Sequence, residues 1–272
     1  MMKKLQLILV PLLTASISLS NVHGESLTLK IPIIDDSPHQ HEFYHELLET
    51  ALKEAGHNPT LIPLRLPQLR TAAYLDKGKI SAYWMVGSQA RNEKYVAIKV
   101  GLTNGLIGKR ILFIKKGDQY LYDNVKTVKD FRDLQLIGGM GKNWFDVKIW
   151  KANKLKYKEH EGNWKAIFKM IPKRPDYNYF SRGINEILTE SKQYPLLAIE
   201  NNLVLIYDRD IRFYLSKTGK YSGEKYKVII EGALVKAEES GLIEKLVRKY
   251  WANDFKVLKF DKRIKLNLVT PK

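Results

Sequence analysis

From Leu27 onward the apolar residues of this chain recur with two periods, and each switch between them marks an element. Leu27 to Ile34 reads as a first strand ending in Asp35, Asp36, Ser37 and Pro38. Phe43, Leu47, Leu48, Ala51, Leu52 and Ala55 then fall at helical spacing, and Gly56 stands where such a helix stops. Thr60 to Leu64 is a second strand, and a short helix runs from Pro67 through Leu75 to Gly78. Next comes KISAYWMVGSQARNEKY, residues 79–95. Ile80, Ala82, Trp84 and Val86 alternate there with Ser81, Tyr83 and Met85, the period of a strand, before Gly87 and Ser88 turn the chain. The order β-α-β-α-β predicts parallel strands with helices on both faces.

Val96 to Leu102 and Lys109 to Lys115 are extended and split by a Gly105–Gly108 turn. A second α/β set follows Gly117, with strands predicted over 134–137, 156–159, 177–180 and 196–199 and helices over 143–154, 163–170 and 184–191. Leu203 to Tyr207 and Ile211 to Leu215 return to strand character, helices over 225–239 and 242–253 follow, and residues 255–272 read as a polar, lysine-rich tail packed only in part. The expected layout is an α/β unit made of residues 25–114 and 203–272, with a second unit, 115–202, inserted into it. Two crossings between the units imply a hinge and a cleft.

The first 24 residues stand apart. Lys3 and Lys4, an apolar run from Leu5 to Leu19 broken by Pro11, and Val22-x-Gly24 predict a secretory signal peptide cleaved near Gly24 rather than a membrane span. The 272 residues contain no cysteine, which removes disulfides, thiol nucleophiles and iron–sulfur centres and suits a soluble exported chain in a bacterial periplasm. The formal charge is +17, of which about +15 remains without Lys3 and Lys4. The lysines are spread rather than clustered, so a solvated basic surface is expected and nucleic acid is not.

Few motifs carry chemistry. His41-Glu42-x-x-His45 has the spacing of a zinc-hydrolase helix, but no Glu occurs between Glu54 and Glu93 to complete it, and Leu48 and Ala51 stand where a second zinc pattern needs Gly and His. No metal or cofactor is expected. Arg91, just past the strand that carries Trp84, is either an anion clamp at the carboxyl end of a sheet or a surface arginine beside Glu93. The bend Gly138-Gly139-Met140-Gly141-Lys142-Asn143-Trp144 leads from strand to helix; it either offers backbone N–H groups to an anion or is a tight turn only. Arg182 sits at another strand-to-helix junction, where it either faces the cleft or pairs with Glu186. Asp35 and Asp36 are open to three roles: a ligand amine, a helix cap or solvation.

Taken together, residues Leu27 to Asn253 resemble the periplasmic solute-binding proteins of family 3, whose type II fold is shared with the ligand-binding core of ionotropic glutamate receptors. Residues 75–91, LDKGKISAYWMVGSQAR, resemble the family's "L-x-x-G-x-x-D" strand and "T-x-x-R" loop. The resemblance implies that Arg91 grips a ligand carboxylate with Ser88 as hydroxyl partner. Gly101 through Ile111 resembles the crossover to the second lobe, and Ile137–Trp144 the turn that offers backbone N–H to the ligand. More narrowly, Gly139 to Asp146 and Asn178 to Glu186 resemble a branch with "G-x-G-x-x-W-x-D" and "D-Y-F-P-R-G-x-x-E". The chain departs from amino-acid binders in having Ser81 for the strand's Asp and Arg182-Gly183 where an acidic group holds the ligand ammonium, with Glu186 and Glu200 as the remaining acids. Two arginines facing one cleft suit an anion such as a dicarboxylate.

The expectation is therefore a monomeric, non-enzymatic, two-lobed α/β protein with a mixed sheet in each lobe and a two-strand hinge. Arg91, Ser88, Trp84 and Asp35 would meet a small solute from one lobe and Gly141, Asn143, Trp144 and Arg182 from the other. A membrane permease or a sensor kinase would read the closed state. The alternatives are a zinc-dependent hydrolase built on His41 and His45, and a basic exported protein that binds acidic polymers.

Overall fold

A computed structural model describes residues 24–34 and 40–271, without the side chains of Gln40, Gln68 and Leu69. The predicted leader, Gly24 apart, and Asp35 and Asp36 lie outside the described residues. In chain order the first elements are β1 (Ser26–Ile34), α1 (Gln40–Glu54), β2 (Asn58–Leu66), α2 (Gln68–Asp76), β3 (Ala82–Val86), α3 (Gln89–Lys94) and β4 (Val96–Ala97). The middle of the chain forms β5 (Lys109–Lys115), α4 (Val128–Asp133), β6 (Gly138–Gly141), α5 (Phe145–Ala152), β7 (Tyr157–His160), α6 (Ile167–Met170), β8 (Tyr179–Gly183), α7 (Ile184–Ser191) and β9 (Leu197–Ile199). The last elements are β10 (Leu203–Ile206), β11 (Ile211–Leu215), α8 (Lys227–Glu239), α9 (Leu242–Val257) and β12 (Ile264–Asn267).

The first lobe is built on two ladders. β1 and β2 pair in parallel, with Leu29 opposite Leu61, and β11 pairs antiparallel with both β3 and β4. Ser81 joins the ladders: its N–H donates to Lys30 O at 2.6 Å, and its hydroxyl accepts from Lys30 N at 2.9 Å. α1 packs on β2 and against α8 and α9. Phe43, Leu47, Leu48, Ala51 and Leu52, the predicted helical stripe, are all buried.

The second lobe is a seven-stranded sheet in the order β12-β10-β5-β8-β6-β7, with β9 also paired to β5. β5 shows why this sheet is buried on both sides. Ile111 and Phe113 enter one apolar cluster and Leu112 and Ile114 the other, because successive side chains leave a strand on opposite faces. Tyr179 and Phe180 of β8 divide in the same way.

Sheet membership corrects the predicted unit boundaries at 114/115 and 202/203. β5 and β10 both belong to the seven-stranded sheet, with Leu205 opposite Arg110. Periodicity identifies an apolar strand but not the sheet that receives it. The lysine-rich tail is also more ordered than its composition suggests. β12 pairs in parallel with β10, and Leu266 and Leu268 are buried while Lys265 faces outward. The alternation of Ile264, Leu266 and Leu268 makes an edge strand, and the intervening lysine is the kind of residue that protects an edge.

The chain thus passes between lobes three times: over 98–108, 207–210 and 258–263. The first two passages lie side by side. Leu102 N donates to Ile211 O at 2.9 Å and Tyr207 N to Gly108 O at 3.0 Å. The Asp210 carboxylate accepts from Thr103 N at 3.1 Å, Gly105 N at 3.0 Å and the Thr103 hydroxyl. A Cβ at Gly108 would come within 2.1 Å of Tyr207 O, so a side chain there would push the two passages apart. The third passage is tied by buried Arg263, which donates to the carbonyls of Leu258, Glu200 and Leu203 at 2.6–2.9 Å.

Candidate ligand-binding site between the two lobes

The first wall of the site follows from the end of β3. Ser88 leaves the strand extended and caps α3, its hydroxyl accepting from Arg91 N at 3.4 Å. The cap aims α3 so that the Arg91 side chain folds back toward the strand, where Nη1 donates to Val86 O at 2.5 Å. Beside it Trp84 stacks on Tyr44, with ring centroids 4.6 Å apart, and His45 meets the indole edge-on at 5.7 Å. Burial pushes the Tyr83 phenol up to about 12, against the opposing pull of Arg91, so this hydroxyl stays neutral.

The second wall is a charge network. Arg110, near the start of β5, is almost wholly buried. It donates from Nε and Nη2 to Asp146 Oδ1 at 3.1 and 2.6 Å, and from Nη1 to Glu186 Oε2 at 3.3 Å. Tyr207 completes the group, its hydroxyl 3.0 Å from both Arg110 Nε and Asp146 Oδ1. Arg182, at the end of β8, holds Glu190 through Nε and Nη2 at 2.8 and 2.6 Å and Glu186 at 3.1 Å. Burial alone would weaken the Arg110 cation, yet Asp146, Tyr207 and Glu186 raise its pKa. Burial likewise opposes Glu186 ionisation, but Arg182 and Arg110 hold that carboxyl below its usual range. At Glu190, paired with Arg182, burial prevails and raises the carboxyl.

Between these walls lies a cavity of about 240 Å³. Its ionisable lining is Arg91, Arg110, Arg182, Asp146 and Glu186; its rings are Tyr44, Tyr83, Trp84, Trp144, Phe145 and Trp164. Arg91 is its only guanidinium without a carboxylate partner among the described residues. Asp146 uses Oδ1 for all of its hydrogen bonds to described residues, which leaves Oδ2 as an acceptor.

Five of the expected residues line this cavity: Arg91, Trp84, Asn143, Trp144 and Arg182. Three expectations need correction or fall elsewhere. Ser88 is not in the lining; its hydroxyl oxygen serves the α3 cap. The turn amides are likewise engaged: Lys142 N donates to His160 O at 3.0 Å, and Asn143 N to Glu159 at 3.2 Å. Gly141 is absent from the lining too; it makes room, since a Cβ there would lie 2.5 Å from the Trp144 indole nitrogen. Asp35 lies outside the described residues. Of the two acids named as candidates, Glu186 lines the cavity, whereas Glu200 is buried elsewhere, accepting from Asn202 N and Leu203 N at 2.7 Å.

Sequence reading missed Arg110 and Trp164 and gave Asp146 no role. Arg110 had a signal: a charge inside the apolar strand KRILFIK is expensive to bury unless a partner waits for it. The helix motif at His41 and His45 reads as packing. His45 Nε2 donates to Pro32 O at 2.9 Å, burial lowers its pKa to about 4, and no cluster of three metal-ligating side chains is found among the described residues.

No family model matches the sequence, and no curated protein sequence matches it significantly. The likeness is to solved structures. An amino acid ABC transporter substrate-binding protein from Streptococcus pneumoniae, bound to L-arginine, is 13% identical with a TM-score of 0.54 over 83% of this chain and 94% of that one. An ancestral arginine-binding protein bound to glutamine is 16% identical, with a TM-score of 0.53 over 82% and 97%. The GluR0 ligand-binding core in complex with L-glutamate is 12% identical, with a TM-score of 0.53 over 82% and 98%. The chain therefore has the two-lobed type II periplasmic binding protein fold of these structures.

Proposed function

We propose that this chain is a solute-binding protein that captures a small carboxylate-bearing solute between its lobes and closes on it without chemistry. One observation carries this reading: Arg91 presents a guanidinium to the cavity without a carboxylate partner among the described residues, while the other two arginines of the lining are neutralised by their own network. A carboxylate is the group that a free guanidinium fork binds best. A cavity of about 240 Å³ suits a small molecule rather than a polymer chain. Asp146 Oδ2 on the opposite wall is an acceptor for a ligand ammonium, which favours an amino-acid-like zwitterion over the dicarboxylate that two free arginines would suit. The small molecules held by the structural neighbours, L-arginine, glutamine and L-glutamate, are all of this zwitterionic kind.

In this reading the side-by-side passages at 98–108 and 207–210 are the hinge, the protein works as an exported monomer, and the closed form is read by a membrane permease of the ABC type or by a sensor. A thermal-shift screen of amino acids, dicarboxylates and short peptides tests it. The expected result is stabilisation by one α-amino acid class, lost in Arg91→Ala and accompanied by compaction in solution scattering. Undiminished binding by Arg91→Ala would remove Arg91 from the site.

A further inference from the structure

The second wall holds a complete receptor for a guanidinium, and its occupant is part of the chain. The Arg182 guanidinium lies 4.6 Å from the ring centre of Trp164, 5.3 Å from Phe180 and 5.6 Å from Trp144. The three rings stand 5.5–6.1 Å from one another and form a contiguous aromatic platform, with the guanidinium on one side of it. Glu190 and Glu186 supply the counter-charge, at 2.6 and 3.1 Å. Aromatic faces and carboxylates are the two groups that bind a guanidinium, one by its cationic face and the other by its N–H fork. Trp144, Trp164, Glu186 and Arg182 itself all line the cavity, so the platform and its carboxylates border the space assigned to the solute.

We propose that Arg182 is a tethered occupant of a cation subsite, and that it sets specificity by excluding solutes that carry a guanidinium or another extended cationic arm. This rests on the reading of the cavity as a solute site. A free cation seeking this subsite would have to displace Arg182 from two carboxylates and three rings. The tethered side chain competes without the translational cost that a free molecule bears. The solute admitted by the native protein is therefore one whose body, beyond its zwitterionic head, is uncharged. Removing Arg182 would leave two carboxylates among three rings, a vacant subsite of the opposite preference.

The test uses the full chain, with methylguanidinium and L-arginine as probes, by thermal shift and calorimetry. Millimolar methylguanidinium should restore the melting temperature of Arg182→Ala and leave the native protein unmoved. L-Arginine should bind Arg182→Ala more tightly than it binds the native protein by roughly tenfold or more, and Arg91→Ala added to that variant should abolish the gain. Tight L-arginine binding by the native protein would overturn the proposal, as would a folded Arg182→Ala that responds to neither probe. Rescue by methylguanidinium, with no further gain from L-arginine and no effect of Arg91→Ala, would uphold the subsite and overturn the carboxylate reading of the cavity. If Arg182→Ala fails to fold, Arg182→Ala/Glu190→Gln keeps only Glu186 and reports on the same question. The native-protein arm stands in either case.

Discussion

Arg91 and Arg182 hold corresponding places in the two lobes, each where a sheet strand runs into a helix, yet one is committed to its own fold and the other is not. The difference lies in the residues that follow. Glu186 and Glu190 come four and eight positions after Arg182, on one face of α7, and both reach its guanidinium. Arg91 is followed by Glu93 at a spacing of two, which places the pair on different sides of α3. Glu93 accepts from Gln89 instead, at 3.0 Å. A charge facing a cavity is structural or available according to whether the local helix supplies its partner at the right spacing, and the ion pairs of Arg182 and the Gln89–Glu93 contact decide between the two here.

The contrast is broken most severely by removing a cation from the committed wall. Arg110→Met leaves Asp146 and Glu186 in a buried network without the guanidinium they share, and should cost about 3–5 kcal/mol in chemical denaturation. Arg110→Met/Asp146→Leu should recover part of that loss. A cost under about 1 kcal/mol for Arg110→Met would mean that water already screens this wall, as at a surface pair. Gly141→Ala should come next, at about 1–3 kcal/mol, because its Cβ would force the Trp144 indole away from the Phe180 ring it stacks on at 5.9 Å. A shift in tryptophan emission should accompany the loss; unchanged emission would show that the indole was never seated on Gly141.

Acid probes the other wall. His45 sits edge-on to Trp84 with its pKa lowered by burial to about 4, from an ordinary value near 6.5. A histidine held below its unfolded pKa contributes stability in full above about pH 6.5, and that contribution is lost as the pH falls from there toward 4. His45→Gln, which can still donate to Pro32 O, should flatten the decline relative to the native chain. Identical pH slopes would show that the ring is charged while folded.

How much of this was legible in the sequence differs between fold and site. The α/β class, the two lobes and most strands and helices followed from periodicity, because Ile111 to Ile114 or Phe43 to Leu52 can be buried in only one way. The sheet that receives β10 was not legible, since LVLI fits the interior of either one. Arg91, Trp84, Trp144 and Arg182 were found at strand ends by a rule of position. What surrounds them was legible only in part: Glu186 stands one turn past Arg182, but the Arg110–Asp146 and Trp144–Trp164 contacts join elements remote in sequence. The turn amides at Lys142 and Asn143 misled for the same reason, being taken up by β7.

Arg91→Ala should have the smallest effect on stability, and for that reason it decides the comparison. Among the described residues its side chain makes one hydrogen bond, to Val86 O, at a site where water can replace the lost donor. The cost should stay within about 0.5 kcal/mol, the range of an ordinary surface substitution. A loss of several kcal/mol would mean that Arg91 is as structural as Arg182, and the asymmetry between the walls would vanish. A small loss of stability together with abolished solute binding would separate the two properties at a single residue. The fold does not need that guanidinium, so its place at the cavity would be explained by the solute alone.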